Sequence, residues 1–169
     1  MTADIKIRWI DDAATASEGA ELLVGAALPA YISHSELMWG RAVAPGVWSN
    51  DIRERVAAEF LTMVGQHDPS EGHSRLLGAF AKGTLIGVMA CRFEIESDAP
   101  HAVLDDVAVR SDYRGQGVMR AMLAFFSDAA RALDLERMFL ESGRSNEGAH
   151  HAFEELGFAP ISVTMMKDL

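Results

Sequence analysis

The alternation of apolar and polar positions along the chain predicts strands and helices arranged about one stretch, Leu104 to Leu123. Val103, Asp105, Val107 and Val109 alternate with Leu104, Asp106 and Ala108 at period two, the pattern of a pleated strand rich in β-branched residues. Arg114-Gly115-Gln116-Gly117 then turns the chain. From Val118 the apolar positions fall at Val118, Met122, Phe125, Phe126, Ala129 and Leu133, the stripe of an amphipathic helix.

Upstream, residues 5–10 read as a first strand, with Ile5, Ile7 and Trp9 on one face and Lys6 and Arg8 on the other. Thr15-x-x-Glu18 has the form of a capping box for a helix through Leu22, Leu23, Val24 and Leu28, closed by Pro29. Ser33-x-x-Glu36 starts a short helix with Leu37, Met38 and Trp39, stopped by Gly40, and residues 44–48 read as a loop. Ser49-Asn50-Asp51 offers caps for a helix with Ile52, Val56, Phe60 and Val64 on one face. Residues 66–74 are polar and read as an exposed loop. Residues 75–81 and 85–95 are strands joined by a hairpin at Lys82-Gly83-Thr84. Downstream come a short strand over 137–141, a helix capped by Ser145 with Ala149, Ala152, Phe153 and Leu156 on one side and Gly157 at its stop, and a last strand over 159–167. Strands cluster first and then alternate with helices. This predicts an α/β (α+β) fold, a mixed sheet with helices on both faces, in which the central strand and residues 137–141 are parallel neighbours.

The start of the helix at Val118 carries candidate chemistry. No Ser, Thr, Asn or Asp stands immediately before it, and two glycines keep side chains out of the approach. The first turn of a helix leaves about four N–H donors unpaired and about half a positive charge, so this end suits an anion such as a pyrophosphate. On these residues alone an ordinary glycine turn is the equal alternative. The dinucleotide pattern G-x-G-x-x-G fails at Arg120, and G-x-x-x-x-G-K-[ST] is absent from the chain.

At 169 residues the chain suits a single domain, 1–169, with one ordinary core. Fifteen basic against twenty-five acidic residues give a net charge of −10, which argues against nucleic acid or an anionic membrane as partner and mildly favours a cationic one. Cys91 stands alone in an apolar run, so no internal disulfide forms and the residue reads as core. The first residues carry early charges and no apolar signal segment, and no apolar run is long enough to span a bilayer, so the expectation is a cytoplasmic protein. His150 and His151 are adjacent and face different sides of a helix; with no H-E-x-x-H in the chain, no metal site is expected.

The central stretch resembles the acyl-CoA site of the GNAT superfamily of N-acetyltransferases. Arg114-x-x-Gly117 fits that family's turn signature, and Leu104-Asp105-Asp106-Val107-Ala108-Val109 fits the strand before it; Met119 departs from the usual small residue. Asn146-x-x-Ala149-x-x-x-Phe153-x-x-x-Gly157-Phe158 is similar to a second family segment, with Phe153 where a tyrosine is usual. The resemblance implies a mostly antiparallel sheet flanked by helices, with two splayed parallel central strands and the pantetheine arm of acetyl-CoA in the gap. It implies cofactor contacts from Val107, Ala108, Val109, Arg114, Gly115, Gln116, Gly117, Val118, Met119, Arg120, Asn146 and Phe153. The Val107 N–H becomes the oxyanion donor, Asp105 the first candidate for general base through a bridging water, and Glu141 the second. An acceptor pocket falls near His34, Met38, Trp39 and Trp48, where filling the core is the alternative role. The implied activity is direct transfer of an acetyl group from acetyl-CoA to the primary amine of a small, cationic acceptor. Acetylation of protein N-termini or lysines is the alternative, as is a catalytically dead acyl-CoA sensor, and a homodimer is compatible with all three.

Overall fold

The computed structural model describes residues 4–65 and 73–169; the expected loop at 66–74 lies, up to residue 72, outside the described residues. The described residues form two compact units. One comprises the chain up to Ala27 together with 51–141, the other 28–50 together with 142–169.

The first unit contains β1 (Ile5–Ile10), α1 (Ala13–Ala26), α3 (Ile52–Met63), β4 (Ser74–Ala81), β5 (Thr84–Glu94), β6 (His101–Val109), α4 (Val118–Arg131) and β7 (Met138–Leu140). Its five-stranded sheet runs in the order β1-β4-β5-β6-β7. The pairs are antiparallel except β6–β7, which is parallel as the helical crossover between them requires. Helices α1 and α3 cover one face, where Ala16, Ala20, Val56 and Phe60 pack on Ile10, Leu76, Val88 and Ala108. On the other face, edge-to-face aromatic contacts tie β1 and β5 to α4: Trp9 with Phe125 at 5.4 Å and Phe93 with Phe126 at 5.4 Å. Because both faces are covered, β5 reads as a nearly unbroken buried run, not as an alternation. Among the described residues no helix is long and apolar enough to cross a membrane.

Two local expectations change in this unit. Helix α1 begins earlier than the Thr15 box predicts, because the Asp12 carboxylate accepts the Thr15 N–H at 2.8 Å and thereby becomes the cap. That bond holds the Asp12 carboxyl below its usual range. The helix also stops at Ala26, and Pro29 opens a short 3-10 turn over Pro29–Tyr31 instead of ending α1.

The second unit contains α2 (His34–Met38), β2 (Ala42–Ala44), β3 (Val47–Trp48) and α5 (Glu147–Glu154). The capping box at α2 forms as expected, the Ser33 N–H donating to Glu36 at 2.7 Å. The expected loop over 44–48 is instead the turn and second strand of a small hairpin, made possible by Gly46 at φ 77°. Helix α5 starts at Glu147 with Asn146, not Ser145, at its cap position, and ends before Gly157 at φ 96°. The expected strand over 159–167 does not form. Ile161, Val163 and Met165 keep their alternation but are 75%, 82% and 88% exposed. Period-two patterning makes a strand only where a neighbouring ladder receives its N–H and C=O groups, and no described strand pairs with this segment.

Candidate active site

Strand β6 changes its neighbours halfway along. Ala102, Val103 and Leu104 pair with Met138, Phe139 and Leu140, and there β7 ends; from Asp105 onward no strand among the described residues pairs with that side of β6. On the other side β5 continues to pair, but the register shifts: Ala90 opposes Asp106 while Cys91 opposes Leu104. Asp105 is therefore the extra residue of a bulge in β6. The bulge breaks the simple alternation expected from sequence, putting Val107 on the face opposite Val103.

Past the bulge the direction of the backbone groups follows from the ladder. The Arg110 N–H donates to the Ile86 carbonyl at 2.9 Å. In an antiparallel pair every second residue exchanges bonds with its partner, so Ala108 and Asp106 also face β5. The N–H and C=O groups of Val107 and Val109 face the open edge. The two valines are half-buried, whereas Ala108 is 6% exposed and its backbone is committed to β5.

Beyond Val109 a 3-10 turn at Ser111–Tyr113 leads into the glycine turn. Gly117 is the N-cap of α4 at φ 80°, ψ 9°, with no side chain capping it, and Gly115 lies at φ 72°. This left-handed conformation is open to glycine without strain. A Cβ at either position would meet nothing within 4 Å, so open space lies around both. The first helical bond runs from the Ala121 N–H to the Gly117 carbonyl at 3.0 Å, which leaves the N–H groups of Val118, Met119 and Arg120 without a helical acceptor. No acidic residue stands in this first turn.

The turn's own side chains hold it in place. Arg114 Nε donates to the Val109 carbonyl at 3.1 Å and Gln116 Nε2 to the Asp112 carbonyl at 2.8 Å. Arg110 and Asp112 form a two-bond pair at 3.1 and 2.9 Å, which raises the guanidinium's pKa and lowers that of the carboxyl. A cleft of about 540 Å³ lies against this loop, lined by Leu22, Gly25 and Ala26 of α1 and by Val109, Arg110 and Arg114. An unpaired strand edge thus runs toward an uncapped helix start. The edge suits an extended chain with amide groups, and the helix start suits a phosphate. Among the described residues no group of three His, Cys, Asp or Glu could hold a metal ion.

The candidate base Asp105 is held by a residue that the sequence reading did not single out. Arg92 of β5 donates to its two oxygens at 2.8 and 3.0 Å, and also to Glu94. The hydrogen bonds to Asp105 raise the pKa of Arg92 against the opposing effect of burial. The signal lay in the sequence as one basic residue inside the apolar run 85–95. Glu141 follows β7 directly and is exposed. Cys91 is fully buried, its thiol donating to the Arg75 carbonyl at 3.6 Å, and burial pushes its pKa far up, so it is the core residue expected.

Asn146 and Phe153 belong to the second unit. The Asn146 amide donates to the Ser142 hydroxyl at 3.0 Å, and Phe153 is 6% exposed, set edge-to-face on Phe158 at 5.7 Å. Of the expected acceptor-pocket residues, Met38 and Trp39 are 74% and 64% exposed. His34 and Trp48 are half-buried, and the Trp48 Nε1 is out of reach of solvent with no acceptor among the described residues. The same unit contains a close approach that the sequence does not signal. A Cβ on Gly143 would lie 2.3 Å from the Ala30 carbonyl oxygen and 2.6 Å from that of Ile32. Backbone cannot give way as a side-chain tip can, so Gly143→Ala is expected to destabilise the protein by about 1–3 kcal/mol. At roughly 2–4 °C per kcal/mol for a chain of this size, thermal unfolding reads this directly; an unchanged midpoint would show that the loop moves aside freely.

The geometry has counterparts in known proteins. Over 85 residues the chain is 28% identical to the uncharacterized N-acetyltransferase YycN of Bacillus subtilis (strain 168), an alignment covering 50% of this chain and 54% of that protein. The chain thus spans about half the length of this curated relative. The fold is similar to that of the aminoglycoside N-acetyltransferase AAC(6')-Iy solved in complex with CoA, with a TM-score of 0.69 at 16% identity over 100% of this chain and 97% of that one. It is also similar to the ribosomal-protein-alanine N-acetyltransferase of Brucella melitensis biovar Abortus 2308, with a TM-score of 0.64 at 17% identity over 98% and 99% of the two chains. Residues 43–158, which contain the bulged strand, the glycine turn and α5, match the family model for acetyltransferases of the GNAT type. With more than half of its length matched in this way, and with the opened sheet edge and uncapped helix in place, the chain belongs to the acetyltransferase (GNAT) family.

Proposed function

We propose that the chain transfers an acetyl group from acetyl-CoA to the primary amine of a small, cationic acceptor, directly and with both substrates bound. The observation that carries this reading is the run of the open β6 edge at Val107 and Val109 into the uncapped start of α4 at Gly117. Membership of the family supports the reaction class, the likeness to an aminoglycoside N-acetyltransferase supports a small cationic acceptor, and a net charge of −10 favours one electrostatically.

When bound, acetyl-CoA supplies an activated thioester carbonyl and a thiol leaving group. The remaining work falls to this chain. The edge N–H and C=O of Val107 and the N–H of Val109, whose carbonyl accepts from Arg114, hold and orient an extended chain as a neighbouring strand would. The Val107 N–H donates to the carbonyl oxygen as negative charge builds there. The backbone of residues 114–120 receives the pyrophosphate, and Arg114 and Arg120 add positive charge. Asp105 accepts the proton that the acceptor's ammonium must lose, through a water. Both carboxylate oxygens accept from Arg92, and a carboxylate has about four lone-pair sites in all. Glu141 is the second candidate for this role. Asn146 holds the loop before α5 through Ser142.

A phenyl ring has no proton to donate, so Phe153 closes the route in which a tyrosine protonates the departing thiolate. A CoA thiol resembles a free cysteine, with a pKa of about 8.5, and leaves near neutrality without such help. Phe153→Tyr is therefore expected to raise kcat less than tenfold, under about 1.4 kcal/mol. A hundredfold gain would mean that the natural chain lacks a working acid, and would favour a sensor over an enzyme.

A second reading, acetylation of a protein N-terminus, is supported by the likeness to the ribosomal-protein-alanine N-acetyltransferase. One assay separates the three readings: release of CoA thiol, with the product identified by mass, against aminoglycosides, polyamines, amino-acid derivatives and Ala-terminated peptides. Turnover on a small amine supports the proposal, and turnover on peptides alone supports the second reading. Acetyl-CoA binding with turnover on none leaves a sensor.

A further inference from the structure

Strand β5 is apolar through its centre, and Cys91 and Phe93 on either side of Arg92 are fully buried. The Arg92 side chain lies on the opposite face of the strand from those two and is 32% exposed, so its guanidinium is partly withdrawn from water and is held by partners. Its partners lie on two strands. Nε donates to Asp105 Oδ2 at 2.8 Å and Nη2 to Asp105 Oδ1 at 3.0 Å, while Nη1 takes Glu94. The three side chains are 32%, 19% and 38% exposed in the order Arg92, Asp105 and Glu94, so the clamped carboxylate is the most sheltered of them.

The partner is the extra residue of the β6 bulge. In a regular strand the pleat fixes where a side chain points; at a bulge the pairing is broken and that constraint is lost. A rigid guanidinium fork that grips both oxygens restores it, fixing the plane of the carboxylate as well as its position, which a lysine's single ammonium cannot do. We propose that Arg92 is a positioning residue for acetyl transfer, acting through Asp105 by fixing the orientation of its carboxylate at the bulge. The inference rests on the reading that Asp105 accepts the acceptor's proton. Arg92 itself touches no reacting atom.

The test is a double-mutant cycle on the full chain, using an amine that the acceptor assay shows to be turned over. Arg92→Met is expected to lower kcat/KM for the amine by about ten- to a hundredfold, the scale on which misplaced catalytic groups act, while KM for acetyl-CoA stays within about twofold. Arg92→Lys recovers part of the loss. In an Asp105→Asn background Arg92→Met costs less than about threefold more, because two residues that act as a unit are not additive. A readout independent of turnover accompanies the cycle: the Arg92 Nε–H resonance is sharp and slow to exchange in the natural chain and broadens in Asp105→Asn. If Arg92→Met fails to fold, Arg92→Lys takes its place in the cycle. Independent, multiplying losses overturn the proposal, and so does full activity in Arg92→Met. An active Asp105→Asn instead removes the base assignment beneath it, and the two failures are told apart by that single variant.

Discussion

Asp105→Asn is expected to lower kcat/KM for the amine by about 10²–10⁴-fold, the range typical of a lost general base. The side chains have nearly the same shape, so the packing of β6 is kept. Two things change. The amide cannot take up a proton, and its NH₂ group turns two donors toward an Arg92 guanidinium that has only donors to offer. A primary amine with a pKa of about 10.4 is mostly protonated at neutrality, so the reaction needs somewhere for that proton to go. As pH rises, more of the acceptor is neutral before it binds, and the variant recovers part of its rate. Steady-state kinetics from about pH 6 to 10 with saturating acetyl-CoA show both the fall and the recovery. A change of less than about threefold would move the role to Glu141 or to bulk water.

The second large effect is at Gly117. A ligand present at a hundred times its dissociation constant stabilises a protein by about 2.7 kcal/mol, which for this chain length is roughly 5–10 °C in unfolding temperature. Gly117→Asp is expected to abolish that shift for CoA. The substitution places a carboxylate at the N-terminal end of α4, where the unpaired N–H groups and the positive end of the helix dipole would otherwise meet a phosphate. The change strains the backbone at φ 80° but meets no clash, because a Cβ there finds nothing within 4 Å and Asp enters the left-handed region more readily than most residues. Gly117→Asn separates charge from bulk: it is expected to keep part of the shift. Full retention of the shift by Gly117→Asp would remove the pyrophosphate from this helix start.

The parts of the site written in local sequence were legible. Val107 and Val109 announce a strand, two glycines announce a turn, and the stripe from Val118 announces a helix that begins where expected. The parallel pairing of β6 with β7 followed from the single helix between them. What stayed hidden depends on partners distant in the chain. The bulge at Asp105 exists only relative to β5, so period-two counting placed Val103 and Val107 on one face when they lie on opposite faces. Arg92 is separated from Asp105 by thirteen positions and a turn, and its charge was visible while its target was not. Gly143 is one glycine among 14, and nothing in its neighbours foretells a carbonyl 2.3 Å from its missing Cβ. The alternation over 159–167 misled for the converse reason: its pattern is local, but a strand is a relation between two segments.

A sheet in which β7 stops pairing at Leu104 while its neighbour β6 runs on to Val109 carries an interior seam that behaves chemically as a border. Borders of this kind are where foreign backbones attach, in amyloid growth as in crystal packing. In most proteins evolution blunts them with lysine, proline or a covering loop. Here Val107 and Val109 are uncharged and extended, and under the proposed function a blunted border would obstruct the group lying along it. Under the proposed function an elongated ligand lying in the seam doubles as its guard.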